Sequence, residues 1–165
     1  MELLLILGAN SSGKSLYAEG IAARHSANPV YIATMVPQND ENLRRIERHK
    51  AQRSGKNFKV LEMPLNISSV DVKDTDVVLL EDVSNLMANG MFTAGKSAEQ
   101  TLEDIMVLCR KCRMMIAVSI SGLCSDEYDG ETKQYIDGLN FLNEQLAKNA
   151  VSVTEMQNSV AVKIK

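Results

Sequence analysis

Eight residues near the start of the chain, Gly8-Ala9-Asn10-Ser11-Ser12-Gly13-Lys14-Ser15, spell G-x-x-x-x-G-K-[ST], the pattern of a phosphate-binding loop. Glycine lets backbone approach phosphate oxygens closely. Successive N–H groups, with the start of the following helix, then form a concave donor surface for an anion. In such a loop Lys14 reaches the β and γ phosphates of a nucleoside triphosphate, and the Ser15 hydroxyl takes a place on Mg²⁺. The pattern carries this meaning only between a strand and a helix. The apolar run Leu3–Leu7 precedes it, and Leu16, Ala18, Ile21 and Ala22 follow it at helical spacing.

Phosphoryl chemistry on such a loop also needs a carboxylate at the end of a neighbouring strand, to orient Mg²⁺ and its waters. The run Val77-Val78-Leu79-Leu80-Glu81-Asp82 offers two. A carboxylate at a buried strand end is costly without a cation or hydrogen bonds, so at least one is expected to be functional. The alternative is that both cap the helix that follows. A third group of residues lies in Arg44-Arg45-Ile46-Glu47-Arg48-His49-Lys50-Ala51-Gln52-Arg53. On a helix Arg45, His49 and Arg53 are four residues apart in turn and share a face. Guanidinium groups grip phosphates, and a neutral imidazole between them is suited to attack on phosphorus. Taken alone the stretch reads more readily as a solvated basic face; the phosphate loop upstream shifts that reading. The other histidine, His25, ends the first helix, where a cation complements the helix dipole.

Apolar runs and helical patterns alternate along the chain, which predicts an α/β fold with a mostly parallel sheet and helices on both faces. Strands are expected at Leu3–Leu7, Val30–Ala33, Phe58–Leu61, Val77–Glu81, Met115–Ser119, Val151–Glu155 and Val160–Ile164. Helices are expected at Lys14–His25, Glu41–Arg53, Ser97–Cys112 and Glu131–Asn149, with a short one near Ser84–Asn89. Gly90–Gly95 and Gly122–Gly130 read as loops, and Ser97 as a helix cap. The last two strands lie close enough for a terminal hairpin turning at Gln157-Asn158.

The length of 165 residues sets a single domain, residues 1–165, as the expectation. A net charge of −3 makes the molecule no general attractor of nucleic acid, and no nucleic-acid partner is expected. No apolar run approaches a membrane span, and Leu3–Leu7 is too short for a signal peptide and lacks a basic segment before it, so a cytoplasmic protein is expected. Cys109, Cys112 and Cys124 make no disulfide framework. Cys109-Arg-Lys-Cys112 lacks the second pair a zinc site wants and sits at a helix end, so its cysteines are expected to be small buried residues.

Taken in order, these residues resemble the bifunctional adenosylcobinamide kinase / adenosylcobinamide-phosphate guanylyltransferase family. The resemblance runs through the loop Gly8–Ser15 with Tyr17-Ala18-Glu19, then Tyr31-Ile32-Ala33-Thr34-Met35, then Arg45-Ile46, His49 and Arg53, then Phe58 and Glu62. It continues through Leu80-Glu81, Ser84-Asn85-Leu86 and Asn89, then Tyr128-Asp129, Glu131-Thr132, Tyr135-Ile136, Leu142-Asn143 and Leu146-Ala147, and closes on Val162-Lys163-Ile164-Lys165. The loop alone is generic; the loop, the Ala-Thr segment and the Arg/His/Arg helix in this order are specific. The resemblance implies a P-loop NTPase fold of RecA-like type and one nucleotide site serving two reactions. The first phosphorylates the aminopropanol hydroxyl of adenosylcobinamide. The second transfers GMP from GTP to that phosphate through a GMP-histidine intermediate, for which the matching residue is His49.

It further implies Lys14 and Glu81 as catalytic partners of His49. Ser15 and Glu81 become the residues associated with Mg²⁺, since the family spacing to Asn89 selects Glu81 over Asp82. Nucleotide contacts are implied at Gly8, Ala9, Asn10, Ser11, Ser12, Gly13, Lys14, Ser15, Ala33, Thr34, Met35, Arg45, Lys50, Arg53 and Glu62. The implied co-substrate is GTP or ATP, the partner is the corrinoid, and a homo-oligomer is expected. The chain departs from the family pattern at Ala9 and Ser11 in the loop, at Ile120-Ser121, where the family has Asn-Glu, and at Gln157-Asn158-Ser159-Val160 in the terminal hairpin. The alternative is a divergent P-loop protein with only one of these activities, a different acceptor or a non-catalytic GTP-binding role.

Overall fold

The computed structural model describes residues 1–165. Seven strands form one sheet: β1 (Glu2–Gly8), β2 (Val30–Ala33), β3 (Lys59–Glu62), β4 (Val77–Glu81), β5 (Met114–Ile120), β6 (Ser152–Gln157) and β7 (Val160–Lys163). The helices are α1 (Lys14–His25), α2 (Asp40–Arg53), α3 (Val83–Ala94), α4 (Ala98–Lys111) and α5 (Gly130–Asn149). The strand order is β3-β2-β4-β5-β1-β6-β7. All neighbours pair in parallel except β6 and β7, which form the terminal hairpin.

The expected P-loop architecture is therefore present, with bounds shifted by at most two residues except at α3. Instead of a short helix followed by a loop, α3 runs on to Ala94. Gly90 does not break it. A Cβ there would lie 3.3 Å from the Thr101 hydroxyl, so this glycine lets α3 approach α4. Gly95, at φ 61°, is the residue that ends the helix, in the left-handed conformation favoured by glycine.

The helix starts follow from local hydrogen bonding. Asn39 caps α2 by accepting from the Asn42 N–H at 2.8 Å, and Ser97 and Gln100 form a reciprocal capping box on α4. One face of the sheet packs Leu3, Leu5, Val78, Leu80, Met115 and Ala117 against α3, α4 and α5. Cys109 and Cys112 belong to this layer. The other face packs Ile6, Tyr31, Leu79, Ile116 and Val118 against Ala18, Ile21 and Ala22 of α1. That second cluster holds 11 buried residues against 22 in the first, and α2 lies on its side. Only Arg53 of α2 is buried, so this helix is held by polar contacts rather than by a core of its own.

Candidate functional site

The phosphate loop leaves β1 at Gly8 and enters α1 at Lys14. Its shape depends on two glycines. Gly8 adopts φ 151° and a Cβ there would fall 2.6 Å from the Ser12 hydroxyl and 2.8 Å from the Met156 carbonyl. Gly13, at φ 90°, passes beside Ser159 of the terminal hairpin. The Ser159 N–H donates to the Ser12 carbonyl at 3.2 Å, so the β6–β7 turn braces the loop. Lys14 is 8% exposed and donates to the Ala9 carbonyl. Burial holds its ammonium below the ordinary lysine pKa, against the pull of the Glu81 and Asp82 carboxylates.

Glu81 meets the loop. The Ser15 hydroxyl donates to Glu81 Oε1 at 2.5 Å, while Oε2 is buried without a partner. Burial, reinforced by the adjacent Asp82 carboxylate, pushes the Glu81 pKa up to about 8. Two hard oxygen donors, one unsatisfied, facing each other beside a triphosphate-shaped loop suit Mg²⁺. No group of three or more His, Cys, Asp or Glu side chains is placed to hold a metal by itself. Mg²⁺ needs no such cage, because it is usually bound through one or two protein oxygens plus substrate phosphates.

The strand carrying Glu81 is not the neighbour of β1. β5 lies between β1 and β4, and α1 crosses the sheet face so that Ser15, in its first turn, reaches the end of β4. The two acids divide their roles. Asp82 caps α3: its Oδ1 accepts from the Asn85 N–H at 2.7 Å and the Ser84 hydroxyl at 2.6 Å. Glu81 caps nothing.

Across the loop stands α2. A cavity of about 270 Å³ is bounded by Asn10 to Leu16 on one side and by Arg45, Arg48, His49 and Gln52 on the other, with Glu81 and Asp82 at its floor. A second cavity of about 170 Å³ opens on the far side of the same helix face, lined by Ala33, Met35, Arg45, His49, Lys50, Arg53 and Glu62 among others. Arg45, His49, Glu81 and Asp82 belong to both. Burial first, and then the guanidinium groups of Arg53 and Arg45, lower the His49 pKa, which favours the neutral imidazole. Arg53 stacks over the Tyr31 ring, 3.9 Å from its centroid, and is 9% exposed.

The structure brings together most of the residues singled out from the sequence. Thr34 is placed behind the site instead. Its buried hydroxyl donates to the Asp82 carbonyl at 2.8 Å and accepts from the Asp82 N–H at 2.8 Å, so it braces the strand end and lines neither cavity. Gly8 and Ala9 shape the loop without lining the phosphate-side cavity. Sequence reasoning passed over Arg48 and Gln52. With Arg45 and His49 they occupy positions i, i+3, i+4 and i+7, so the helical spacing itself could have found them. The capping role weighed for both acids falls to Asp82 alone, and the site role of Tyr31 becomes visible only from the packing.

The family described as cobinamide kinase / cobinamide phosphate guanyltransferase matches residues 4–164. The bifunctional adenosylcobalamin biosynthesis protein CobU of Escherichia coli K12 is 26% identical, over 99% of each chain. The bifunctional adenosylcobalamin biosynthesis protein CobP of Pseudomonas aeruginosa is 27% identical, over 91% of this chain and 90% of the relative. A solved DnaB-like replicative helicase superposes with a TM-score of 0.52 at 10% identity, over 93% of this chain. The match spans only 46% of the helicase chain, and the likeness is one of fold alone.

Proposed function

The chain belongs to the cobinamide kinase / cobinamide phosphate guanyltransferase family, and from that premise we propose how one nucleotide site serves both reactions. The protein is a kinase and nucleotidyltransferase of adenosylcobalamin biosynthesis. In our reading the whole chain acts as one domain. The loop Gly8–Ser15 cradles the phosphates of GTP, or of ATP in the kinase step, and Lys14 turns from the Ala9 carbonyl to the β and γ phosphates. Ser15 and Glu81 would hold Mg²⁺, which supplies charge neutralisation on the phosphate oxygens when bound. The second cavity, with Ala33, Met35, Lys50, Arg53 and Glu62, takes the remainder of the nucleotide.

The kinase reaction moves the γ-phosphoryl group to the hydroxyl of adenosylcobinamide. Positioning and charge stabilisation suffice for it, and no protein nucleophile is needed. In the guanylyl reaction the imidazole of His49 attacks the α-phosphorus, and pyrophosphate leaves. The phosphate of the corrinoid then displaces His49 and takes GMP. The observation that carries this reading is the place of His49, a half-buried imidazole with lowered pKa on the wall shared by both cavities. It faces the triphosphate loop and stands among arginines that can hold phosphates while it attacks.

The reading places the enzyme in the cytoplasm, where nucleoside triphosphates are made available. No helix is long and apolar enough to cross a membrane. It also includes a homo-oligomer, supported by the exposed Val60 and Val160 on the edge strands β3 and β7. The test is intact mass spectrometry after incubation with GTP and Mg²⁺. One covalent GMP per chain is expected, acid-labile and base-stable as a phosphoramidate is, and absent from His49→Ala. An adduct that persists in His49→Ala, or that maps to a serine or lysine, rules out the histidine mechanism.

A further inference from the structure

Beneath the site one polar group is aimed at His49 and has no part in the chemistry above. Tyr31 on β2 is 2% exposed. Its ring meets Phe58 edge-on, with centroids 5.9 Å apart, and lies under the Arg53 guanidinium. These contacts fix the ring, and its hydroxyl stands 3.3 Å from His49 Nδ1. With Nδ1 engaged there, Nε2 on the far side of the imidazole is the nitrogen left to face the phosphate cavity that His49 lines.

We propose that Tyr31 is a positioning residue for guanylylation: its hydroxyl oxygen accepts the Nδ1–H of His49, holding the tautomer whose Nε2 carries the free lone pair and directing attack to that atom. The proposal rests on the reading of His49 as nucleophile. In the step, the Nε2 lone pair forms a bond to the α-phosphorus. The bond from that phosphorus to the oxygen bridging to the β phosphate breaks, and pyrophosphate leaves with the electron pair. The proton stays on Nδ1, so the modified ring becomes cationic. Arg45 and Arg53 oppose a positive ring at this position. An oxygen accepting from Nδ1–H offsets that opposition, and a hydroxyl can rotate to present a lone pair. Burial and the Glu81 carboxylate raise the Tyr31 pKa, so the acceptor is the neutral phenol. An imidazole without this partner is free to carry its proton on Nε2, where it has no lone pair to attack with.

The chain has two histidines, so NMR of isotope-labelled histidine reads the His49 tautomer directly beside that of His25. Tyr31→Phe removes one oxygen and keeps the ring, the Phe58 contact and the arginine stack. We expect the Nδ1–H form in the parent and appearance of the Nε2–H form in Tyr31→Phe. The rate of adduct formation should fall roughly 3- to 10-fold, the worth of one neutral hydrogen bond. GTP affinity and the kinase rate should fall less than the rate of adduct formation, whereas a merely structural defect would lower all three alike. An adduct that forms in the parent while His49 rests in the Nε2–H form, or that forms equally fast in Tyr31→Phe, overturns the role of Tyr31 alone. A parent that forms no adduct on His49 overturns the nucleophile reading and this proposal with it.

Discussion

Replacing Glu81 by glutamine separates stability from catalysis at the centre of the site. The side chain is 8% exposed, one of its oxygens has no partner, and burial with the Asp82 charge raises its pKa from 4.5 to about 8. A folded value above the unfolded one means that the folded protein holds this proton more tightly. Its contribution to stability is therefore full below about 4.5 and is lost as pH rises towards about 8. Neutral pH lies about 2.5 pH units above the unfolded value, and each unit is worth about 1.36 kcal/mol, so the nucleotide-free protein is burdened by about 3 kcal/mol at pH 7. Glutamine keeps the shape, and its amide oxygen can still accept from Ser15. In urea denaturation without nucleotide or magnesium, Glu81→Gln should be more stable than the parent by about 2–3 kcal/mol at pH 7, and the gap should close towards pH 4.5. The same variant should lose phosphoryl transfer, and Mg²⁺ with GTP should stabilise it less than the parent. A variant no more stable than the parent at pH 7, or a gap that does not change with pH, refutes the reasoning.

Lys14→Ala should abolish both activities and weaken GTP binding in calorimetry by roughly 10- to 100-fold, as expected for loss of a charge-assisted hydrogen bond worth about 1.5–3 kcal/mol; equal affinity in variant and parent would sink the loop assignment. His49→Ala should keep kinase turnover while losing guanylyl transfer, so joint loss of both in a folded variant contradicts the division of labour. Because burial and the two arginines lower the His49 pKa, adduct formation in the parent should fall to half its plateau rate only below pH 6.5. A rate already halved at 6.5 tells against a neutral imidazole held by its surroundings. Gly13→Ala, at φ 90° and with its new Cβ 3.3 Å from the Ser159 hydroxyl, should cost about 1–2 kcal/mol and GTP binding; unchanged melting and affinity would show that the hairpin does not brace the loop.

Much of the site could be read from residues near one another in the chain. The loop Gly8–Ser15, the strand before it and the helix after it are set by steric freedom at two glycines and by apolar spacing, and both act within a few residues. The shared face of Arg45, His49 and Arg53 follows from helical geometry alone. The extension of α3 to Ala94 was hidden because Gly90 reads as a break, and only the close passage of Thr101 shows why it is not. Thr34 is a nucleotide contact only by the family resemblance, which carries no information on its hydrogen bonding. Its hydroxyl is consumed by the backbone of Asp82.

The amino-acid sequence by itself determined the chemistry available: a triphosphate loop, strand-end carboxylates, and an imidazole among guanidinium groups. Tertiary structure alone decided how these meet. Strand order depends on pairing between segments far apart in the chain, so nothing local reveals that β5 separates β1 from β4 or that α1 must cross it to bring Ser15 to Glu81. Helix α2 buries a single residue, so its pattern carries no record of where it docks. Its place over the phosphate loop is set by the Tyr31 hydroxyl and ring and by the Lys56–Glu19 ion pair at 2.8 Å. Those contacts join residues that only folding makes neighbours, and they turn a helix with the pattern of a solvated basic surface into the wall that carries His49.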